Sequence, residues 1–282
     1  MHAYADLQTL KGTSVFNVTG TAHDAYLRTL LEVSSQEVDR YTARRFQPYL
    51  GTLYFDGMGT TLLNVPDLLS VTSLVEDQSN TGTFDTTWAA NDYILWPYNA
   101  NPTGDSGRPY QAVYVSDKSN GTQDQFLAGH RNYRIIGQFG FSYVASTLGL
   151  TVGSAQTATG TTLVLSGSAT GTLEPGHTVL VGSEHMYVQS VTTGTSAVVM
   201  RAQNGSTAGT HSQGDAILLF SYPRPIHEAT VMHAGRMFKR GQSAFASESG
   251  APDGVVTVFR GGMDADVRML VDPYRRITLG VF

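Results

Sequence analysis

The chain contains no cysteine in 282 residues. Disulfide scaffolds and thiolate zinc sites are therefore excluded. Charge is also sparse. Asp, Glu, Lys and Arg make up 15% of the chain, with 18 basic against 23 acidic residues and a formal net charge of −5. This balance disfavours a general affinity for nucleic-acid phosphates, and leaves open a local basic patch or a surface past which DNA slides without sticking. No apolar run approaches the length of a membrane span, and no membrane partner is expected. The opening stretch MHAYADLQTLKG lacks the basic region and apolar core of a signal peptide. The N-x-S/T triplets at Asn17, Asn120 and Asn204 therefore read as turn chemistry.

Catalytic signatures are missing as well. There is no G-x-S-x-G elbow, no Walker loop, no H-E-x-x-H and no G-x-G-x-x-G before a helix. The eight histidines are scattered, and His227 and His233, six apart on one helix, have the wrong spacing for a shared metal face. Glu184 and His185 adjoin in a strand and point to opposite faces, so they read as polar positions on a half-buried strand. Asp264 and Asp266 follow Gly261–Gly262 and read as a solvated turn rather than a carboxylate pair. Tyr93, Trp96 and Tyr98 surround Pro97; a sugar platform is one reading, and packing at a strand end is the favoured one. No catalytic residue, cofactor or metal is expected.

What the chain does have is Gly, at 30 residues, and hydrophobic residues at 41%, a mixture that points to β-structure with many turns. Tyr4 to Lys11 reads as a short helix stopped by Gly12. A longer helix is expected from about Thr21, with Thr21 and Asp24 resembling a capping box, and with Tyr26, Leu27, Leu30, Leu31, Ser34, Val38 and Tyr41 on its apolar stripe. Short β-runs follow at TLYFDG, TTLLNVP, VTSLVED, DYILWPY, QAVYVS and NYRIIGQFGFSY. Asp56–Gly57–Met58–Gly59 reads as a hairpin turn, and Pro66 and Pro97 as strand ends or edges. Residues 147–220 are poor in Lys and Arg and rich in Gly, Thr, Ser and Val, and read as an inserted barrel-like or sandwich-like β-module. After SYPRP a second long helix carries Ile226, Ala229, Thr230, His233, Met237 and Phe238 on one face.

Each long helix has one apolar face in need of a partner, and the simplest solution packs the two together. The fold class is therefore α+β: a small helical bundle with antiparallel strands, plus an inserted all-β domain. The expected core comprises 1–146 and 221–282, with 147–220 as an excursion from it. Arg40, Arg44 and Arg45 close the first long helix and have three readings: capping and solvation, an ion pair with carboxylates of a neighbouring subunit or partner, or DNA contact, the last disfavoured by the acidic total.

The order of elements resembles the head–tail adaptor (connector) proteins of long-tailed bacteriophages. The resemblance rests on DLQTLKG (6–12), on AHDAYLRTLLEVSSQEVDRYTARRFQP (22–48) with Asp39, Tyr41, Arg44, Phe46 and Pro48, and on TLYFDG (52–57). It continues in RIIGQFGFS with Ile136, Gly137 and Gly140, and in YPRPIHEATVMHAGRMFKRG with Pro223, Ile226 and Ala229. It covers about two thirds of the chain, since many such adaptors run almost directly from the glycine strand into the Pro-initiated helix. The resemblance implies a ring of identical subunits, commonly a dodecamer, set between a portal protein and a stopper or tail-completion protein. It also implies location at the head–tail junction of a virion assembled in the bacterial host cytoplasm, and genomic DNA passing through the channel without specific binding. The C-terminal segment is then implied to reach the portal, which makes Arg44, Arg45, Tyr274, Arg275, Arg276, Ile277, Leu279, Val281 and Phe282 the partner-binding candidates. The insert is similar to small β-modules of phage structural proteins with Arg-Gly-x-Asn-Gly-Thr, here with Ala202 in place of the Gly; Asn204–Gly205 should form a positive-φ turn and His211 should bond a loop carbonyl. A competing reading is a tail or baseplate protein that binds a host glycan through the β-insert.

Overall fold

The structure is a computed structural model and describes residues 2–12, 17–103, 107–118, 121–167, 173–192, 195–242, 248–250, 256–258 and 262–276. It is α+β, with few helices and two substantial antiparallel sheets. Contacts divide the chain into two units: Met1–Arg44, Ala145–Gln203 and Thr207–Phe282 form one, and Arg45–Val144 with Asn204–Ser206 the other. Among the described residues no helix is long and apolar enough to cross a membrane.

The first unit holds the helices. These are α1 (Leu7–Gly12), α2 (Asp24–Thr42), α3 (Arg224–Gln242) and α4 (Ala265–Val271), the last followed by a 3₁₀ turn, Asp272–Tyr274. The 3.6-residue apolar period of α2 and α3 is satisfied mutually: Leu27, Leu30 and Leu31 pack with Val231, Ala234 and Phe238, and Leu7 and Leu10 of α1 close the cluster. The helix pairing expected from the two distant stripes is thus present. The expected capping box is not. Helix α2 begins at Asp24 after His23 with no side-chain cap, because the Asp24 carboxylate is engaged 2.7 Å from the Lys11 ammonium.

The same unit contains a closed barrel with the cyclic strand order β10-β11-β8-β7-β12-β9. The strands are β7 (Val144–Val152), β8 (Thr162–Ser166), β9 (Thr178–Val181), β10 (Glu184–Thr192), β11 (Ser196–Gln203) and β12 (Ala216–Ser221). Alternating Val and Leu side chains from all of these strands fill its interior, including Val152, Leu163, Val181, Val188, Val199 and Ile217. The barrel belongs with the helices rather than apart from them. Tyr187 lies in the helical core and donates a 2.7 Å hydrogen bond to Glu32, and Arg28 donates a 2.6 Å bond to the Gln189 carbonyl. This division of contacts differs from the one drawn from composition, which had placed the β-meander with the helices.

The second unit is a six-stranded antiparallel sheet with β1 (Tyr49–Gly57), β2 (Leu62–Glu76), β3 (Thr86–Trp88), β4 (Tyr93–Trp96), β5 (Tyr110–Val115) and β6 (Gly129–Phe139). The order is β1-β6-β2-β5-β4, with β3 added to β2. Residues 56–59 therefore do not make a hairpin; β6 lies between β1 and β2. Pro66 does not end a strand either. It sits inside β2 where the register shifts between Asn64 and Leu68, the irregularity that a residue without an N–H requires. Gly137 of β6 lets the chain pass close to β2, since a Cβ there would lie 2.3 Å from the Ser70 carbonyl oxygen. The core of this unit stacks Trp88 on Phe126, centroids 4.6 Å apart, with Tyr133 edge-on. Strands β13 (Glu248–Gly250) and β14 (Val256–Val258) form a separate pair assigned to the first unit.

Candidate functional site

Four of the partner-binding candidates, Arg44, Tyr274, Arg275 and Arg276, converge at the end of α2. This helix stops because Ala43 adopts a left-handed conformation (φ 53°), and the Ala43 and Arg44 N–H groups both bond the Asp39 carbonyl. The chain after α4 crosses this end and is clipped there four times. Tyr41 donates a 2.6 Å hydrogen bond to Asp272, Arg44 Nε donates at 2.6 Å to the Tyr274 carbonyl, and the Arg276 N–H donates at 2.8 Å to the Thr42 carbonyl. The Arg275 guanidinium lies 5.2 Å from the Tyr41 ring centroid. The Asp272 carboxylate, by accepting from the Tyr41 hydroxyl, raises that phenol above its ordinary value, and burial raises Tyr274. Arg236 of α3 pairs with Asp264 at the start of α4, tying the segment to the second long helix.

Arg44, Tyr274, Arg275 and Arg276 are therefore brought together. Arg45 is not part of the group: it belongs to the second unit, where its guanidinium sits 4.5 Å above the Tyr49 ring and bonds Asn204 Oδ1 at 2.7 Å. Arg44 and Arg45, read from the sequence as one cationic end, each serve the unit they fold with. Ile277, Leu279, Val281 and Phe282 lie outside the described residues.

A second constellation could not be read from the sequence. A cavity of about 400 Å³ in the first unit is lined by Tyr4, Asp6, His177, Thr178, Tyr222 and His227, among others. Asp6 caps α1, accepting from the Thr9 N–H at 2.8 Å and the Thr9 hydroxyl at 2.7 Å. Its Oδ2 is 3.6 Å from His177 Nε2 and 3.9 Å from His227 Nε2. His177 Nδ1 accepts the Glu174 N–H at 3.1 Å, which leaves the proton of the neutral ring on Nε2, facing Asp6. Burial works to raise the Asp6 pKa, but the contacts with His177, His227 and Thr9 outweigh it and hold the carboxyl far below the usual range. Among the described residues no group of three or more His, Cys, Asp or Glu is arranged to hold a metal ion.

The sign of the Asp6 contribution follows from its direction. A depressed carboxylate stabilises the fold above its unfolded pKa of about 4, and the contribution fades as pH falls below that. Asp6→Asn should cost about 1–2 kcal/mol at neutral pH and flatten the acid limb of the stability curve, as read by urea unfolding between pH 3 and 7. An unchanged acid limb would remove the carboxylate from this role.

In the barrel, Glu184 is 1% exposed and joins Arg201 through two 2.7 Å bonds, with His211 Nε2 at 2.9 Å. The His211 side chain thus meets a carboxylate rather than the loop carbonyl expected for it. Asn204 (φ 56°) and Gly205 (φ 75°) form the positive-φ turn anticipated at that pair, and a Cβ at Gly205 would meet the Leu50 carbonyl at 2.1 Å. Ala202 stands where similar modules carry Gly and adopts φ 53°, a left-handed conformation that costs an Ala about 1–2 kcal/mol; its N–H donates at 3.0 Å to Glu184. Asp264, expected in a solvated turn, is instead ion-paired at a helix start. Trp96 and Tyr98, expected to pack inside, are both exposed.

No family model matches the chain, and no curated protein matches it. Among solved structures, it is similar to a chain described as the neck of an empty GTA particle computed with C6 symmetry. The likeness has 12% sequence identity and a TM-score of 0.42, and covers 98% of this chain and 93% of the other.

Proposed function

We propose that the chain is a structural head–tail adaptor: a ring subunit that joins a portal to a stopper or tail and surrounds the passing DNA, with no reaction to catalyse. The observation that carries this reading is the clip at the end of α2. There, residues from opposite ends of the chain hold the C-terminal segment at a defined point and hand it on from Arg276. A segment secured by three hydrogen bonds and a stacked arginine has a fixed point of departure. The sequence that follows Arg276, ITLGVF, is mostly apolar, a composition that suits docking into a neighbouring protein. The acidic total fits a channel that must not hold phosphates.

The test is truncation after Arg276 in the particle-producing host. The truncated chain should fold with an unchanged melting curve, because the clip is retained. Particles should then accumulate as filled or emptied heads without tails, with a loss of infectious titre of at least about a hundredfold, an effect on the scale of losing an interface hot spot. Tailed particles at normal titre would overturn the docking role.

A further inference from the structure

The sheet of the second unit ends in β1 on one side and β4 on the other. The Asn204–Ser206 segment meets the β1 edge at Leu50, whose N–H donates at 2.9 Å to the Asn204 carbonyl, and leaves the outward side chains of β1 exposed. At one end, β1 and β6 present a common face. Their register sets Leu50 opposite Gln138, Thr52 opposite Ile136 and Tyr54 opposite Arg134, so all six side chains point to one side of the sheet. Leu50, Tyr54 and Ile136 are 37–40% exposed. Two arginines frame this face: Arg131 stacks 4.2 Å from the Tyr54 ring centroid and Arg134 stacks 4.7 Å from that of Phe84. Neither guanidinium makes an ion pair among the described residues, and Arg134 Nε is buried without a hydrogen-bond partner. The nearby Asp56 carboxylate is taken up by the Arg131 backbone N–H and by the His130 ring.

At the other end, β4 carries an aromatic group. Trp96 is 42% and Tyr98 60% exposed, and the Trp96 ring lies edge-on to Tyr98 at 4.8 Å and to Tyr114 at 6.0 Å. Exposed Trp, Tyr and Arg are the residue types that anchor protein interfaces. One end thus offers apolar surface with unpaired guanidinium groups, and the other offers electron-rich rings that attract them. Two complementary surfaces at opposite ends of one sheet make a head-to-tail contact, the kind that closes a ring of identical chains when its rotation permits.

We propose that the β1–β6 face of one copy docks on the β4 end of the next, with Leu50, Tyr54, Ile136, Arg131 and Arg134 meeting Trp96 and Tyr98 of a second copy of this chain. This names the subunit contact of the ring proposed above and rests on that reading. The absence of cysteine makes a direct test possible. Thr52→Cys marks the first face and Asn99→Cys, next to Tyr98, the second; both positions are exposed and neither is among the contact residues just named, so fold and contact are spared. Within one chain they are separated by four strand spacings, roughly 19 Å, beyond the reach of a short bis-maleimide.

The double variant of the full chain should cross-link into a ladder. Each single variant alone should give no cross-link, and an equal mixture of the two single variants should give dimers only. Arg131→Glu, scored by sedimentation, should weaken self-association about tenfold. Dimers from either single variant would mean that a face meets its own kind and would overturn the proposal. Assembly of the wild type without any cross-link between the two faces would overturn this contact while leaving the ring reading intact. A chain that stays monomeric at every concentration, with the double variant uncross-linked, would sink both. If Arg131→Glu abolished retention of a DNA oligonucleotide and left sedimentation unchanged, the face would be a phosphate site and the proposal would fail.

Discussion

Replacing Glu184 with Ala should unfold the barrel at a cost of about 3–5 kcal/mol, the range for breaking a buried ion pair by removing one partner. The argument is one of stranded groups. The Glu184 carboxylate accepts from Arg201 Nε and Nη2, from the Ala202 and Gly209 N–H groups, and pairs with His211. Arg201 also donates to the carbonyls of Thr157, Gly160 and Gly209, so one guanidinium and one carboxylate together hold the segments on both sides of β11. With the carboxylate gone, a nearly buried guanidinium keeps its carbonyl contacts and loses its counter-charge. Glu184→Gln retains the shape and should recover only a part of the loss. Burial pushes the Glu184 pKa up, but Arg201, Gly209, His211 and Ala202 outweigh it and hold the group at about 2, against an ordinary 4.5. A carboxylate so depressed stabilises the fold at neutral pH and loses that contribution as pH falls from about 4.5 to 2, amounting to about 3 kcal/mol. Denaturant titrations of wild type and variant should therefore converge near pH 2 and diverge towards neutrality. Parallel curves across that window would place the stabilisation elsewhere.

The sequence was most legible where periodicity is local. The stripes Leu27–Leu30–Leu31 and Ile226–Ala229–Phe238 announce two amphipathic helices, and since each stripe needs a partner their mutual burial is the simplest arrangement, which α1 and Tyr187 complete. Alternation likewise marks most barrel strands, though not β7, where Gly149 interrupts the apolar series of VASTLGLTV. Pairing was not legible. Asp56–Gly57–Met58–Gly59 has the composition of a hairpin turn, but the partner of β1 is β6, and a strand's neighbour depends on distant surfaces rather than on the intervening turn. The grouping of contacts differs from the composition boundary for a similar reason: composition separates the Thr- and Gly-rich barrel from the helices, while Tyr187 and Arg28 join them. Of the site, Arg44 and the 274–276 stretch could be found because a helix end and a basic tail are visible in one dimension. The meeting of Asp6, His177 and His227 could not, since nothing in their spacing predicts it.

Leu31→Ala should cost about 2–5 kcal/mol, the range for emptying a Leu-sized volume in a closed core, and should do so through the α2–α3 seam. Leu31 is fully buried and belongs to the cluster that Val231, Ala234 and Phe238 complete from α3. The reverse change, Ala234→Leu, adds three carbons at an equally closed position and should cost about 1–3 kcal/mol by overpacking. The two act on one seam with opposite changes of volume. Combined, they should cost less than the sum of the singles, a coupling of about 0.5–3 kcal/mol between contacting sites. Strict additivity in equilibrium unfolding would mean that the two positions do not share a cavity. The seam also carries the clip, because α2 supplies Tyr41, Thr42 and Arg44 while Arg236 of α3 holds Asp264. Loosening it should therefore release residues 264–276 before the barrel melts. Amide exchange at Arg275 and Arg276 should accelerate in Leu31→Ala under conditions in which β9 and β10 stay protected. Equal acceleration in the barrel would show that helices and barrel unfold as a single cooperative body, and that the tail's point of departure has no independent control.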